Sequence, residues 1–302
     1  MSDLRLATRR SPLALRQAEF VRDRLRAHGI ESVFVELDTG GDAQPDAAIA
    51  SIGGQGIFAV EIQRAVLRGE ADVAVHSAKD LPSETPEGLA IVSVPERRDP
   101  ADVLVGRSLA GLGPGATVAT GSPRRRALLL ERRPDLRIVE LRGNMARRLA
   151  SAGQGGIDAV VAASAALDRL GENGRIAERL DPAWFVPQVG QGAIALEARA
   201  DDSDTAAVLA KICDADAMEA LRCERAFLSE LGAGCTVPAG AYATLRAGLI
   251  SVIGVMLSSD GSSSVRATLE GADPTSLGRD LAVRLRDGEG GANLAGWDDG
   301  EG

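Results

Sequence analysis

The chain has 302 residues, a formal net charge of −9 and only 3% aromatic residues. This length predicts two or three domains, and with so few aromatic side chains their cores have to be built from Ala, Val, Leu and Ile. The negative net charge argues against a protein that binds nucleic acid or an anionic membrane, since both repel an acidic chain.

No stretch approaches the roughly 18 consecutive apolar residues that a membrane span needs, and the first residues show no apolar signal region. We therefore expect a cytoplasmic protein with no membrane partner. The overall charge hides a basic segment, because twelve arginines face only five acidic residues between Arg97 and Arg148. Such a local excess of positive charge indicates an anionic small molecule as the ligand.

The first part of the chain alternates strand and helix patterns. The predicted elements are a strand at 4–6, a helix that begins at Ser11–Pro12, a strand at 33–37, a helix at 58–68 and a strand at 72–75. A β-α-β-α-β order predicts a parallel sheet with right-handed crossovers. We expect Arg5, Arg9, Ser11 and Asp42 to lie near the carboxyl edge of this sheet.

A polar cluster follows the last of these strands. His76, Ser77, Lys79 and Asp80 come directly after the apolar residues, and Pro82 cannot extend a strand. The carboxyl ends of parallel strands are where α/β proteins bind ligands. Lysine is rare in this chain, so an ammonium beside a carboxylate indicates a specific use. An ordinary strand-end ion pair explains the same residues, and both interpretations stay open at this point.

A second α/β pattern begins near Asp102. A strand at 117–120 is followed by Ser122–Pro123, which predicts the start of a helix whose first turn carries Arg124 and Arg125. Cations at this end oppose the helix dipole, which indicates either function or a solvated arginine-rich face. Strands at 136–141 and 157–163, each followed by a helix, complete the unit. Two such units commonly hold a ligand in a cleft between them.

The remaining sequence predicts a return strand after the glycine-rich stretch 187–193 and then a small α+β domain. The predicted domains are domain 1 at 1–96 with 193–211, domain 2 at 99–188 and domain 3 at 215–302. Of the three cysteines, Cys213 and Cys223 lie in helical sequence and are expected to be packed thiols. Cys235 lies on a glycine-flanked loop, where a reactive and a structural thiol are both possible.

Several chemistries are disfavoured by spacing. The cysteines match no zinc pattern, so we expect no metal, and no His follows His76 that could pair with Cys235 as in cysteine proteases. The glycine-rich loops match neither a dinucleotide fingerprint nor a phosphate-binding P-loop. An arginine-lined site, one Lys–Asp pair and one loop cysteine remain.

Six segments in sequence order resemble the porphobilinogen deaminase (hydroxymethylbilane synthase) family. They are Ala-Thr-Arg-Arg-Ser-Pro-Leu-Ala-Leu (7–15), Val-His-Ser-Ala-Lys-Asp-Leu-Pro (75–82), Gly-Ser-Pro-Arg-Arg (121–125), Leu-Arg-Gly-Asn (141–144), Val-Gly-Gln-Gly-Ala (189–193), and Glu-Arg-Ala-Phe (224–227) with Gly-Cys-Thr-Val-Pro (234–238). The resemblance implies two α/β domains like those of type II periplasmic binding proteins around a cleft, plus a small α+β C-terminal domain. It also implies a transferase that joins four porphobilinogen molecules head to tail with loss of ammonia, and then releases hydroxymethylbilane by hydrolysis.

The resemblance further implies a dipyrromethane cofactor, attached to Cys235 through a thioether, on which the chain of pyrroles grows. It implies that Asp80 is catalytic with Lys79 beside it. The residues that it implies for the cofactor are Cys235, Lys79, Asp80, Ser122, Arg124, Arg125 and Arg148. Those that it implies for the substrate porphobilinogen are Arg5, Arg9, Ser11, Gln17, Ser77, Arg142, Arg169 and Gln191. Both molecules carry carboxylates, for which arginine is the natural partner. We expect a monomer.

The sequence departs from the family pattern at Gly40 and Gln55, where the family often has basic residues, and at Ala233, where it often has Gly. Two other functions are possible alternatives. A non-catalytic two-domain module that binds an anionic ligand would need neither the loop cysteine nor the third domain. A cofactor-free enzyme with Cys235 as its nucleophile would lack a suitable base.

Overall fold

A computed structural model describes residues 3–38, 57–141, 143–232 and 237–297. The strands are β1 (Leu4–Arg9), β2 (Ser32–Leu37), β3 (Val73–Ser77), β4 (Leu89–Ser93), β5 (Asp102–Gly106), β6 (Thr117–Ala119), β7 (Arg137–Val139), β8 (Ala159–Ala163), β9 (Ile176–Arg179), β10 (Ile194–Arg199), β11 (Ala239–Arg246), β12 (Leu249–Leu257) and β13 (Ser264–Gly271). The α-helices are α1 (Pro12–Ala27), α2 (Ile57–Leu67), α3 (Pro123–Arg132), α4 (Met145–Ala150), α5 (Ser164–Leu170), α6 (Ser203–Ala210), α7 (Ala215–Glu230) and α8 (Pro274–Val283).

The chain divides into two compact units, one formed by 1–98 with 192–218 and the other by 99–191 with 219–302. The first unit contains a five-stranded sheet in the order β2-β1-β3-β10-β4. Strand β1 pairs in parallel with β2 and β3, as predicted, and the return strand β10 runs antiparallel between β3 and β4. The strand that follows the glycine-rich stretch 187–193 therefore does join the first sheet.

Both faces of this sheet are covered by helices. Leu6, Val73 and Val75 pack on one face against α1 and its buried residues Ala18, Val21 and Leu25. The alternate strand positions pack on the other face against α2. Burial on both faces explains why these strands read as nearly continuous apolar runs.

The second unit repeats the topology. Its first sheet has the order β7-β6-β8-β5-β9, with β6 parallel to β7 and β8, and β5 antiparallel to β8 and β9. In the first sheet β1 lies between β2 and β3, and the antiparallel β10 lies between β3 and β4. In the second sheet β6 lies between β7 and β8 in the same way, and the antiparallel β5 lies between β8 and β9. The two sheets therefore share one strand order and one pattern of strand directions.

The second unit also contains an antiparallel meander of β11, β12 and β13. Apolar residues on one face of the meander pack with Leu277 and Leu281 of α8 and with Phe227 of α7. Val255 and Leu257 belong to a second cluster, which includes residues of α3. The repeated α/β topology and this small α+β domain confirm the predicted fold class.

Two helices begin with the capping serines that the sequence predicts. The hydroxyl of Ser11 accepts a hydrogen bond from the backbone N–H of Ala14 at 3.3 Å, and that of Ser122 accepts one from Arg125 at 3.4 Å. In both cases proline follows the capping serine, as a helix start favours. No helix in the described part of the chain is long and apolar enough to cross a membrane.

Candidate active site

The predicted site residues of the first unit gather after the carboxyl ends of two parallel strands. Strand β1 ends at Arg9, and β3 ends at Ser77, from which a 3₁₀ turn continues over Ala78–Asp80. The backbone N–H of Ala78 donates to Ala193 at 3.0 Å, which ties the start of this turn to the residue before β10. Because β1 and β3 run parallel, Arg9 and the turn with Lys79 and Asp80 lie at the same edge of the sheet.

The side chains at this edge are partly accessible. Arg9, Ser11, Ser77, Lys79 and Asp80 are all half-buried, so each reaches both the protein and solvent. This accessibility distinguishes the edge from the interior of the sheet, where the strand residues are buried on both faces. The edge can therefore present positive charge, a carboxylate and hydroxyls to a small molecule.

Gln17 of α1 has an unsatisfied donor. Its side chain is 3% exposed, and its Nε2 has no hydrogen-bond partner among the residues that the structure describes. A buried amide without a partner is costly, so such a group often marks a ligand position. An acceptor such as a carboxylate oxygen would satisfy it.

Arg5 does not lie at this edge, and the prediction that placed it there is wrong. It is the second residue of β1, at the amino end of the strand. Its Nη2 lies 2.7 Å from Oδ1 of Asp72, and its Nη1 donates to the carbonyl oxygens of Gly69 and Glu70. The sequence pattern identified the strand but missed this partner at its opposite end, so Arg5 is a structural residue.

A buried carboxylate organises the second unit. Asp102, fully buried at the start of β5, accepts hydrogen bonds from Arg124 Nη2 at 2.7 Å, from Arg125 Nε at 3.0 Å and from Arg125 Nη2 at 2.7 Å. The amide of Gln191 donates to it at 3.0 Å. Although burial opposes ionisation, the two guanidinium groups and the amide hold the pKa of Asp102 down at about 2.

This network changes the interpretation of two predicted ligand contacts. Gln191 is fully buried, and its amide also donates to the carbonyl oxygen of Pro100 at 2.6 Å. We therefore exclude it from the substrate contacts. Arg124 is 2% exposed and also donates to the carbonyl oxygen of Val186 at 2.6 Å. Arg125 is the more accessible of the two arginines, with 11% of its side chain exposed.

A small cavity of about 20 Å³ adjoins this network. It is lined by Ser122, Arg124, Gln188, Val189, Phe227, Leu228, Val237 and Ala239. Val237 is two residues after Cys235 in the sequence. The cavity therefore brings two predicted cofactor residues beside a segment that adjoins the predicted attachment cysteine.

Arg148 and Arg169 lie on helices that follow parallel strands of the second sheet. Arg148 is half-buried in α4, and its Nε donates to the carbonyl oxygen of Gly143 at 2.7 Å. Arg169 is half-buried in the last turn of α5. Six residues singled out from the sequence lie outside the described residues: Cys235, Arg142, Gly40, Asp42, Gln55 and Ala233.

Among the described residues, sequence reasoning missed three fully buried carboxylates: Asp102, Glu197 and Glu224. In the sequence Asp102 is one acid in an arginine-rich segment, although its place at the start of an apolar strand signals burial. Glu224, in the Glu-Arg-Ala-Phe segment of α7, accepts hydrogen bonds from the backbone N–H groups of Gly190 and Ala243, both at 2.8 Å. Glu224 thereby ties the glycine-rich stretch to the C-terminal meander.

Comparison with known proteins identifies the family. The model for "Porphobilinogen deaminase, dipyromethane cofactor binding domain" matches residues 4–207, and that for "Porphobilinogen deaminase, C-terminal domain" matches residues 218–287. A porphobilinogen deaminase of Roseiflexus sp. (strain RS-1) is 45% identical over 96% of this chain and 98% of that protein. That of Trichlorobacter lovleyi is 42% identical over 93% of this chain and 92% of that protein.

Similar solved structures include the lipoprotein Tp32 of Treponema pallidum, at 17% identity and a TM-score of 0.45, over 70% of this chain and 91% of that one. The family models and the curated relatives cover nearly the whole sequence. The chain belongs to the porphobilinogen deaminase family.

Proposed function

We propose that this chain is a transferase that joins four porphobilinogen molecules head to tail, with loss of ammonia, and releases hydroxymethylbilane by hydrolysis. The observation that carries the proposal is the match of both family models, which together span residues 4–207 and 218–287. A dipyrromethane group attached at Cys235 would supply the primer to which the first substrate is joined. Family membership does not favour the non-catalytic binding module.

The residues present fit such a group. Dipyrromethane and porphobilinogen both carry acetate and propionate side chains, so they call for cationic and amide donors. The second unit offers the partly accessible Arg125 and Arg148, and the first offers Lys79 and the unsatisfied Nε2 of Gln17. Ser122 and Arg124 line a cavity next to the residues that follow Cys235.

We assign the cofactor carboxylates to Lys79, Ser122, Arg125 and Arg148. Arg124 forms a wall of the cavity and braces Arg125 through their shared partner Asp102. A guanidinium that is held rigidly loses less conformational entropy when it binds a carboxylate, which favours binding.

We assign substrate binding to Arg9, Ser11, Gln17, Ser77 and Arg169, together with Arg142. The hydroxyl of Ser11 already caps α1, so only its remaining acceptor and donor capacity is offered to a ligand. Arg9 and Lys79 supply positive charge at the same sheet edge, where substrate carboxylates would be held by charge-assisted hydrogen bonds.

We assign the chemical step to Asp80. Loss of ammonia leaves a cation on the substrate pyrrole, and a carboxylate within hydrogen-bond distance of the pyrrole nitrogen stabilises that charge and accepts a proton. Asp80 suits this role because it is half-buried in a short turn whose backbone is fixed to neighbouring residues. Lys79, the preceding residue in the same turn, adds a positive charge for the ligand carboxylates.

Intact mass spectrometry tests the attachment site. The wild-type protein should carry an excess mass of two pyrrole units, and Cys235→Ala should lack it while remaining folded. Cys213→Ala and Cys223→Ala are the matched controls and should keep the added mass, since Cys223 is buried in the C-terminal core. Retention of the mass in Cys235→Ala would overturn the assignment. The cytoplasmic location and the monomeric state stay predictions, and light scattering on the purified protein tests the second.

A further inference from the structure

A buried polar group lies inside the first unit, behind the edge that carries Lys79 and Asp80. Oε2 of Glu197 on β10 lies 3.0 Å from Nε2 of His76 on β3. The same oxygen accepts a hydrogen bond from Nε2 of Gln63 on α2 at 2.9 Å. The side chains of His76 and Glu197 are only 4% and 1% exposed, so neither can contact a substrate directly.

The location of this group is unfavourable for a purely structural residue. The sheet face that packs against α2 is otherwise apolar. Ala74 of the sheet contacts a cluster that includes Ile62 and Val66 of α2. Placing a carboxyl group there requires compensation by good hydrogen bonds. Nε2 of His76 is close to the carboxylate but does not form an aligned hydrogen bond with a described residue. Replacing a buried polar pair by apolar residues of similar volume is often neutral or stabilising in proteins, so stability alone does not account for this pair.

Strand β10 controls the end of β3 in two ways. Its backbone pairs Ile194 with Ser77 and Ala195 with His76, and the carbonyl oxygen of Ala193 accepts from the N–H of Ala78. Its Glu197 side chain reaches His76, the fourth residue of the five-residue strand β3. The turn Ala78–Asp80 begins two residues after His76.

We propose that Glu197 is a positioning residue that acts through His76 to fix the carboxyl end of β3, and with it the turn that carries Lys79 and Asp80. This inference rests on the proposed function, in which Asp80 has to meet the substrate pyrrole nitrogen at hydrogen-bond distance. Gln63 holds the Glu197 carboxyl from the side of α2. A shift of about 1 Å in a reacting group can reduce a rate by about 10²-fold.

The test uses Glu197→Gln, which keeps the size of the side chain, together with His76→Asn and the double variant. Each protein is loaded with cofactor, as verified by intact mass, and assayed for ammonia release from porphobilinogen. We expect kcat to fall about 10- to 100-fold in Glu197→Gln while KM changes less than about threefold, since substrate binding is left in place. The double variant should be no slower than the slower single variant, because the two residues act in series.

The matched control is Asp72→Asn. It breaks the Arg5–Asp72 ion pair directly before the amino end of β3, at the opposite edge of the same sheet. We expect this variant to lower the melting temperature without changing kcat. Three results would each overturn the proposal. They are an unchanged kcat in Glu197→Gln, a loss of kcat in Asp72→Asn that matches its loss of stability, and additive losses of kcat in the double variant. If the wild-type protein neither carries the added mass nor releases ammonia, the proposed function fails, and this inference falls with it.

Discussion

Replacing Asp102 by Asn keeps the size of the side chain but removes the charge that faces Arg124 and Arg125 inside the second unit. Asp102 is fully buried, and its pKa is lowered from 3.8 to about 2. A shift of this size corresponds to about 2 kcal/mol of stabilisation at neutral pH. Removing one partner of a buried ion pair costs about 3–5 kcal/mol, because the other charge is left uncompensated. We expect Asp102→Asn to lower the free energy of unfolding by about 2–5 kcal/mol.

The pH dependence of this loss has a defined sign. The folded protein holds Asp102 ionised down to about pH 2, whereas the unfolded chain protonates it near its ordinary value of 3.8. The stabilisation is therefore complete above about pH 5 and is lost as the pH falls through about 4 to 2. The difference in stability between wild type and Asp102→Asn should shrink over the same range.

Denaturant unfolding followed by tryptophan fluorescence measures the difference in stability between wild type and Asp102→Asn. The signal reports on the unit that contains Asp102, because Trp184 and Trp297 both belong to the second unit. Asp135→Asn is the control. The pKa of Asp135 is also lowered to about 2 by its partner Arg133. This ion pair lies at the surface, where solvent screens it, so we expect a much smaller loss in the free energy of unfolding. Equal stability of Asp102→Asn and wild type, or a difference that persists unchanged to pH 2, would show that the charge of Asp102 does not stabilise the fold.

Three further predictions concern single substitutions, two at the site and one at a close backbone contact. Arg125→Gln should lose most of the cofactor mass, whereas Arg126→Gln, on the exposed face of the same helix, should keep it; equal loss in both would indicate a general charge effect. Asp80→Asn and Asp80→Glu should each slow single-turnover ammonia release about 10²- to 10⁴-fold in folded, cofactor-loaded protein, and near-normal release would return Asp80 to a structural role. Gly240→Ala should destabilise the protein by about 1–3 kcal/mol, because the new Cβ would lie 2.6 Å from the carbonyl oxygen of Pro187; an unchanged melting temperature would contradict this close approach.

Much of the fold follows from local sequence signals. The strand with Val73 and Val75, the capped helix starts at Ser11 and Ser122, and the return strand β10 all form as the patterns predict. The edge strands β4 and β9 were missed, since each pairs only with a strand that is distant in the sequence. The antiparallel direction of β5 was also missed, because strand direction depends on pairing partners that are distant in sequence.

The candidate site was predictable where its residues follow a strand end or begin a helix, as Lys79, Asp80 and Ser122 do. It was not predictable where a side chain has a partner far away in the chain. Arg5 pairs with Asp72 across 67 positions, and Gln191 bonds Asp102 across 89. No local pattern reveals such pairs, and the same holds for the contact between His76 and Glu197.

We propose that this chain extends a pyrrole chain covalently held at Cys235, and a ladder of protein masses is the sharpest test of that chemistry. Purified protein is mixed with porphobilinogen, quenched after short times and measured by intact mass spectrometry, with ammonia measured in parallel. We predict a series of protein masses above the cofactor-bearing species, separated by one pyrrole unit, with one ammonia released for each unit added, and no series in Cys235→Ala. A protein that stays at the bare chain mass and releases no ammonia would show that it does not extend a pyrrole chain.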